Sequence, residues 1–321
     1  MNWLKFRENL DPCASVDDET ALDLLRTPAV DMPQLLAAAS SVRAHHFGNR
    51  VNACAIINAR SGACSEDCAF CAQSARHKTT AAVYPLLDDE RLAASYRSAA
   101  KHPIQHFGIV TSGESLDPSE TQRLADLARE TGEINHVQWC ASLGALAPSE
   151  LKQLHKAGVR RYHHNIETAP DYFPNICSTH TFHERLETIR AARAAGLEVC
   201  CGGIMGMGET PAQRVAMART LSKENVDSIP LNFLVPVPGT RLEHTPPMSP
   251  LDILRTLAMF RLVCPCAEIK VCAGRLLLRD MQSMVFYAGA TGIMIGDLLT
   301  IAGRDPESDL RMLRDLEVDN G

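Results

Sequence analysis

No apolar run in the 321 residues approaches the ~18 needed to span a membrane, and the first residues carry no hydrophobic signal-like stretch. These absences lead us to expect a soluble, cytoplasmic chain with no membrane partner. Basic residues do not dominate either, since 32 Lys and Arg against 38 Asp and Glu leave a formal net charge of −6. No nucleic-acid partner is expected, because one would favour a basic surface. Aromatic residues make up only 5%, too few to suggest platforms for base stacking. Low-complexity tracts and internal repeats are missing as well. Cysteine is what the chain has in quantity, with 12 in all. In a reducing compartment such thiols point to metal or redox chemistry rather than to a disulfide framework.

The densest group is Cys64-Ser65-Glu66-Asp67-Cys68-Ala69-Phe70-Cys71, spaced C-x3-C-x2-C. No fourth cysteine follows locally. Structural zinc normally closes with four ligands from paired modules, and no second module sits at that spacing. Clustered thiolates suit soft metals and are the usual holders of iron–sulfur clusters. A cubane held by three of them leaves one iron open to an outside ligand, so it can bind and reduce something.

Around this loop the chain alternates. The apolar content of 45% can bury one large core. Residues 1–48 read as an N-terminal helical extension, with Asp17 opening a run to about Arg26 and Asp31 capping a helix from Met32 to about His46. Strands are expected over 51–58, 106–112, 136–142, 161–167, 198–204, 228–235, 269–273 and 292–295. Helical patterns between them include 119–131, 148–157, 183–195, 211–223, 250–263 and 278–288. Eight strands separated by helices predict an α/β fold, a (β/α)8 TIM-type barrel over 49–321 with a C-terminal tail. A doubly wound open sheet is the alternative. The cysteine loop directly follows the first strand, at the end where barrel enzymes place their chemistry.

Strand parity then sorts the polar residues. His163, Asn165 and Glu167 alternate, so they face one side, which in a barrel is the lumen. Adjacent His163 and His164 face opposite ways and cannot easily chelate one ion. Asn232 and Leu234 alternate inward in the same manner. The segment from Gly202 to Thr210 ends a strand and opens a helix, where glycines admit close backbone approach. Its spacing is not G-x-G-x-x-G, so it does not read as a dinucleotide fold.

The pattern C-x3-C-x-aromatic-C is similar to the signature of radical S-adenosylmethionine (SAM) enzymes. Together with Gly62–Cys71, Tyr162–Thr168, Gly202–Thr210 and Ala273-Gly274-Arg275, the chain resembles the biotin synthase family from about Val51 to Leu316. The resemblance implies a SAM-binding [4Fe–4S] cluster on Cys64, Cys68 and Cys71. It implies that Glu167 holds the SAM ribose, that Asn165 contacts SAM or substrate, and that Arg185 lies near the SAM carboxylate. Gly203 and Met205 fall in the SAM-binding glycine segment, and Asn232 matches a substrate-binding asparagine. The implied reaction converts dethiobiotin to biotin through a 5′-deoxyadenosyl radical, with an electron donor of flavodoxin or ferredoxin type. A homodimer is also implied.

The chain departs from that family at its second cluster. Familiar members hold a [2Fe–2S] cluster with three cysteines and an arginine, and those positions fall on Gly108, Cys140, Cys200 and Lys270. Glycine has no side chain to ligate, and an ammonium has no lone pair. Lys270 and Cys272 are two apart on one strand, and Cys54 shares the inward parity of strand one. Cys54, Cys140, Cys200 and Cys272 are therefore expected to hold a different auxiliary iron–sulfur cluster as sulfur donor. This resembles a subset of the family with a larger auxiliary cluster. The alternatives are a related radical SAM maturase or mutase without sulfur insertion, and a redox-sensing metal-binding barrel. Cys201 should face outward as a small buried hydrophobe. Cys264-Pro265-Cys266 precedes a strand at the N-terminal side of the barrel, where a separate surface site is conceivable. Cys13 and Cys177 read as free thiols.

Overall fold

The first barrel strand organises the sheet, because it pairs in parallel with neighbours from both ends of the chain. In a computed structural model describing residues 1–319, β1 (Asn52–Arg60) pairs with β2 (His106–Thr111) on one side and with β9 (Gly292–Met294) on the other. The last two residues of the expected tail lie outside the described residues. Between them run β3 (Gln138–Ser142), β4 (Arg161–His163), β5 (Glu198–Cys200), β6 (Gly203–Met205), β7 (Ser228–Phe233) and β8 (Glu268–Val271). β5 pairs with β4 and, at Cys200 against Ser228, with β7, which closes the ring. β5 and β6 are two halves of one interrupted stave, so the barrel has eight staves, all parallel. The open doubly wound sheet is thereby excluded.

Each stave is followed by helix. The outer layer contains α4 (Asp89–Ala99), α5 (Pro118–Thr131), α6 (Pro148–Lys156), α8 (Phe182–Ala194), α9 (Pro211–Lys223) and α10 (Pro250–Val263). The short turns α7 (Phe173–Ile176) and α11 (Met284–Tyr287), and the final α12 (Pro306–Asp315), complete it. Leading the chain are α1 (Trp3–Glu8), α2 (Asp18–Leu25) and α3 (Met32–Phe47). Leu24, Leu35 and Val42 of that lead-in are buried in the same core as Leu257 and Val263 of α10. The Asp17 side chain caps α2 by accepting from the Thr20 amide at 2.7 Å. Asp31 makes no such bond. α3 is entered through a 3-10 turn, and Pro33 in its first turn already lacks one of the orphan N–H groups.

Three expected elements differ, each for a local reason. The strand expected over 198–204 breaks at Cys201-Gly202, where Cβ atoms on Gly202 and Gly203 would lie 2.0 Å from the Pro230 carbonyl and 2.2 Å from that of Glu167. Neighbouring backbones press into these positions, and a regular side-chain-bearing strand does not fit. The ladder expected to run to Glu167 stops at His163. Beyond it the Asn165 side chain accepts the Gly202 amide at 3.0 Å in place of a ladder carbonyl, and Glu167 turns to φ +66°. The helix expected over 278–288 is a 3-10 segment (Arg275–Met281) kinked at Arg279, followed by α11. Arg275 is tied to Gln282 and to Asp309 of α12, each at 2.8 Å, which curls the segment into short turns.

That anchor gives the Ala273-Gly274-Arg275 motif a structural role. Asp309 is fully buried and pairs with Arg275, itself 5% exposed, and with Arg304. Removing one partner of a buried ion pair leaves the other charge uncompensated. Asp309→Ala is therefore expected to destabilise the fold by about 3–5 kcal/mol, read by denaturant unfolding. An unchanged midpoint would show that the pair does not lock the C-terminal helix.

Candidate active site

The site is built from the barrel lumen upward. A cavity of about 410 Å³ lies within it, lined by residues of every stave and by Leu298–Ile301. That volume suits a small ligand. Cys54 lies near the start of β1, whereas Cys64 follows its end. At about 3.3 Å per residue, the strand rises roughly 20 Å from Cys54 to its end at Arg60, before the cysteine loop begins.

At the mouth, Cys64, Cys68 and Cys71 all line the cavity, and Cys64 and Cys68 are almost wholly buried. Their loop is held from within by Cys64 N–H to Gln73 O at 3.1 Å and Ala75 N–H to Cys64 O at 2.8 Å. It is also clamped from outside by the segment after α7. Ala69 donates to Ile176 O at 2.8 Å, Thr179 donates to Glu66 at 2.5 Å, and His180 contacts the same carboxylate. Ser178 donates to Asp67 through both its amide and its hydroxyl. Burial opposes ionisation of Asp67, yet these bonds outweigh it and hold its carboxyl well below the usual range. Arg241 bridges the Asp67 and Ile176 carbonyls at 2.8 and 3.0 Å. The thiols, whose softness suits a soft metal, are thus presented on a loop held by protein hydrogen bonds from within and from outside.

Cys177 is a free thiol, as expected, and the structure places it against the cysteine loop. It is buried, with Sγ 3.9 Å from Cys68 Sγ and 3.4 Å from His180 Nδ1. Bonds from Cys68, and then from His180 and Thr179, pull its pKa down to about 4 against the opposing effect of burial. The signal missed in the sequence is Cys177-Ser178-Thr179-His180, whose role appears only once it faces the cysteine loop.

Midway down, Asn165, Glu167 and Arg185 line the cavity together. Arg185 Nη1 is 3.6 Å from Glu167 and donates to Asn165 O at 2.8 Å, while its Nε meets His180 at 2.9 Å. Asn232 also lines the cavity, its amide spanning from Gly203 O at 3.2 Å to Ala273 N at 3.0 Å. Gly203 and Met205 do not line it. Met205 is fully buried in the main core, and Ile204 between them faces the lumen. Any ligand contact from this segment runs through Ile204 or through backbone, because strand parity turns the Met205 side chain away.

At the floor, Cys54, Cys140, Cys200 and Cys272 line one end of the same cavity. Cys140 and Cys272 each feel the charges of Cys54 and Cys200, so the four are electrostatic neighbours. Gly108, register partner of Cys140, presents only a hydrogen to the lumen. Lys270 Nζ is 3.0 Å from Cys54 Sγ and 3.3 Å from Glu268. Burial opposes its charge, but Cys54 and Glu268 more than offset that and raise its pKa. Arg161 pairs with Glu198 and Glu268 at 2.7 and 2.8 Å. His163 Nδ1 lies 3.4 Å from Cys200, and burial lowers its pKa to about 4, so the ring is neutral. His106 is likewise neutral, pushed down to about 2 by burial, with a buried Nδ1 that has no partner. Four thiols beside a cation and neutral imidazoles form a donor set that fits a buried iron–sulfur cluster.

Cys201 is wholly buried in the core, as its parity implied, and Cys264 is buried against Ala218. Among the described residues no helix is long and apolar enough to cross a membrane.

Comparison with known proteins converges on one group. Residues 59–221 match the radical SAM superfamily, and residues 230–319 match the biotin and thiamin synthesis associated domain. The biotin synthase of Maridesulfovibrio salexigens is 48% identical over 305 residues, covering 94% of this chain and 92% of that protein. That of Geobacter sulfurreducens is 49% identical over 305 residues, covering 94% and 93%. Among solved structures, methylornithine synthase superposes with a TM-score of 0.83 at 22% identity, covering 99% of this chain and 96% of that one. At that identity the likeness speaks for the fold alone.

Proposed function

The chain belongs to the biotin synthase family of radical SAM enzymes, and from that premise we propose how its own residues divide the work of inserting sulfur into dethiobiotin to form biotin. The observation that carries the reading is a single lumen with three thiols at its mouth, four at its floor, and Asn165, Glu167, Arg185 and Asn232 between them. Cys64, Cys68 and Cys71 would hold the SAM-binding [4Fe–4S] cluster, and Cys54, Cys140, Cys200 and Cys272 an auxiliary iron–sulfur cluster. When bound, these groups and SAM supply an electron, a 5′-deoxyadenosyl radical and the sulfur atom.

The protein's share is orientation and exclusion. Glu167 offers a carboxylate to ribose hydroxyls, and Arg185, steered by Asn165 O and His180, offers a cation to a carboxylate. Asn165 and Asn232 sit where a substrate between the two thiol levels would be read. Ile56, Val110, Ile204 and Leu234 give that middle zone an apolar wall, which keeps water from a reactive radical. The Lys270 ammonium has no lone pair to ligate; it balances thiolate charge. In this proposal the electron arrives from a flavodoxin- or ferredoxin-type donor. The clamp formed by residues 176–180, with its Glu66 and Asp67 bonds, holds the cysteine loop from outside.

The direct test is to supply anaerobically reconstituted protein with SAM, a low-potential reductant and dethiobiotin. We expect biotin to form with two 5′-deoxyadenosines per biotin. SAM cleavage without biotin after full reconstitution would overturn the sulfur-insertion reading in favour of a radical rearrangement enzyme.

A further inference from the structure

Among residues that do not line the lumen, three metal-binding side chains converge where the N-terminal lead-in meets the barrel. Cys13 Sγ lies 3.5 Å from His45 Nε2. One ligand atom from each of Cys13, His45 and His46 lies within 4.8 Å of the others. Cys266 stands just outside that group of three, its Sγ 4.0 Å from His46 Nε2. For a tetrahedral zinc with bonds of about 2.3 Å to sulfur and about 2.0 Å to nitrogen, the S···N edge is about 3.5 Å. We propose that Cys13, His45, His46 and Cys266 form a Cys2His2 zinc site that staples the N-terminal segment to the barrel floor.

The site joins three stretches that the fold already holds in place. His45 and His46 occupy the last turn of α3. The turn carrying Cys266 is pinned by Arg261, which is fully buried and donates to the carbonyls of Cys264, Pro265 and Ala267. Ser15 Oγ and Val16 N dock the segment after Cys13 onto Val263 O and Leu262 O at 2.7 and 3.1 Å. Arg219 adds a pairing to Asp18 at 2.5 Å. The thiol and imidazole donors thus stand on anchored backbone, and Cys266 turns its side chain in to join the three that already converge. His46 Nε2 now faces Pro12 O at 2.8 Å, and metal binding exchanges that bond for one to zinc. Two thiols lose their protons on binding while both imidazoles remain neutral, so two thiolates offset the charge of the ion. With two sulfurs and two nitrogens in a closed set, the donor chemistry selects zinc over harder cations. Cys13 and Cys266 are exposed, so the ion can enter from solvent.

The test uses full-length, cluster-loaded protein given one equivalent of zinc after removal of loosely held metal. Zinc, iron and sulfide are then counted after gel filtration, with zinc-edge X-ray absorption on the same sample. About one zinc per chain is expected, with two sulfur and two nitrogen neighbours at about 2.3 and 2.0 Å. The Cys13→Ser/Cys266→Ser double variant should bind it at least 100-fold more weakly with iron and sulfide unchanged. Because zinc binds only the closed segment, zinc at about 100 times its Kd should slow proteolysis within residues 1–17 by about 100-fold in the parent alone. Equal zinc retention by the double variant, no zinc in the parent, or an all-sulfur shell marking zinc in vacant cluster sites would each overturn the proposal.

Discussion

Replacing Cys68 by alanine is expected to lower SAM cleavage by at least about 10³-fold, to the background of protein without its open-cornered cluster. Cys68 is the central thiol of its loop and is 7% exposed. With three ligands the cubane keeps one open iron, and with two it has no stable holder. The loop itself should survive, because its clamp runs through Glu66, Asp67 and the 176–180 segment rather than through the thiols. The variant should therefore fold and retain the iron bound at the lumen floor. Cys177 is the one nearby thiol that could restore partial ligation, standing 3.9 Å from Cys68 Sγ. Any residual cluster in Cys68→Ala should then vanish in Cys68→Ala/Cys177→Ser, and iron content with Mössbauer spectra would reveal it. Unchanged 5′-deoxyadenosine formation in the single variant would sink the assignment of the mouth cluster to this loop.

Much of this site was legible in the sequence because a barrel converts strand parity directly into lumen address. Cys140 and Cys200 are read as inward from the positions they share with the family, and period-two alternation then carries Cys54 on β1 and Cys272 immediately beyond β8 to the same side. The structure lines one cavity with all four. Asn165 and Glu167 obeyed the same rule although their ladder ends at His163, because side-chain and bridge bonds extend the strand's geometry without its regular pairing. Parity also shows why Met205 is turned away, since Ile204 takes the inward place. What stayed hidden depends on partners distant in sequence. Glu66 looks like an ordinary spacer until Thr179 and His180 close on it. The break at Gly202 follows from the carbonyls of Pro230 and Glu167 pressing in from neighbouring staves, which no local propensity encodes. Leu298–Ile301 forms part of the cavity wall from a stretch with no strand or helix period to announce it.

The second large effect is expected at the floor, and it separates radical generation from sulfur transfer. A Cys54→Ala/Cys140→Ala protein should lose its auxiliary iron and form no biotin, yet still cleave SAM within about tenfold of the parent rate, since the mouth thiols stand on a separate loop beyond the far end of β1. Two remaining thiols, Cys200 and Cys272, cannot hold a cluster against its loss to solvent. Lys270→Met is the informative companion. If Lys270 only offsets thiolate charge, its loss should leave iron stoichiometry intact and alter the cluster's redox behaviour, because a buried cation 3.0 Å from Cys54 has been removed. If Lys270→Met instead empties the floor of iron, the four-cysteine assignment is wrong and the lysine position contributes to ligation. The two variants together therefore decide which residues make the sulfur source, independently of whether the mouth cluster works. Gly108 sharpens the point. With no ligand on β2 and an ammonium on β8, the thiol set of the floor is complete only if Cys54 and Cys272 belong to it.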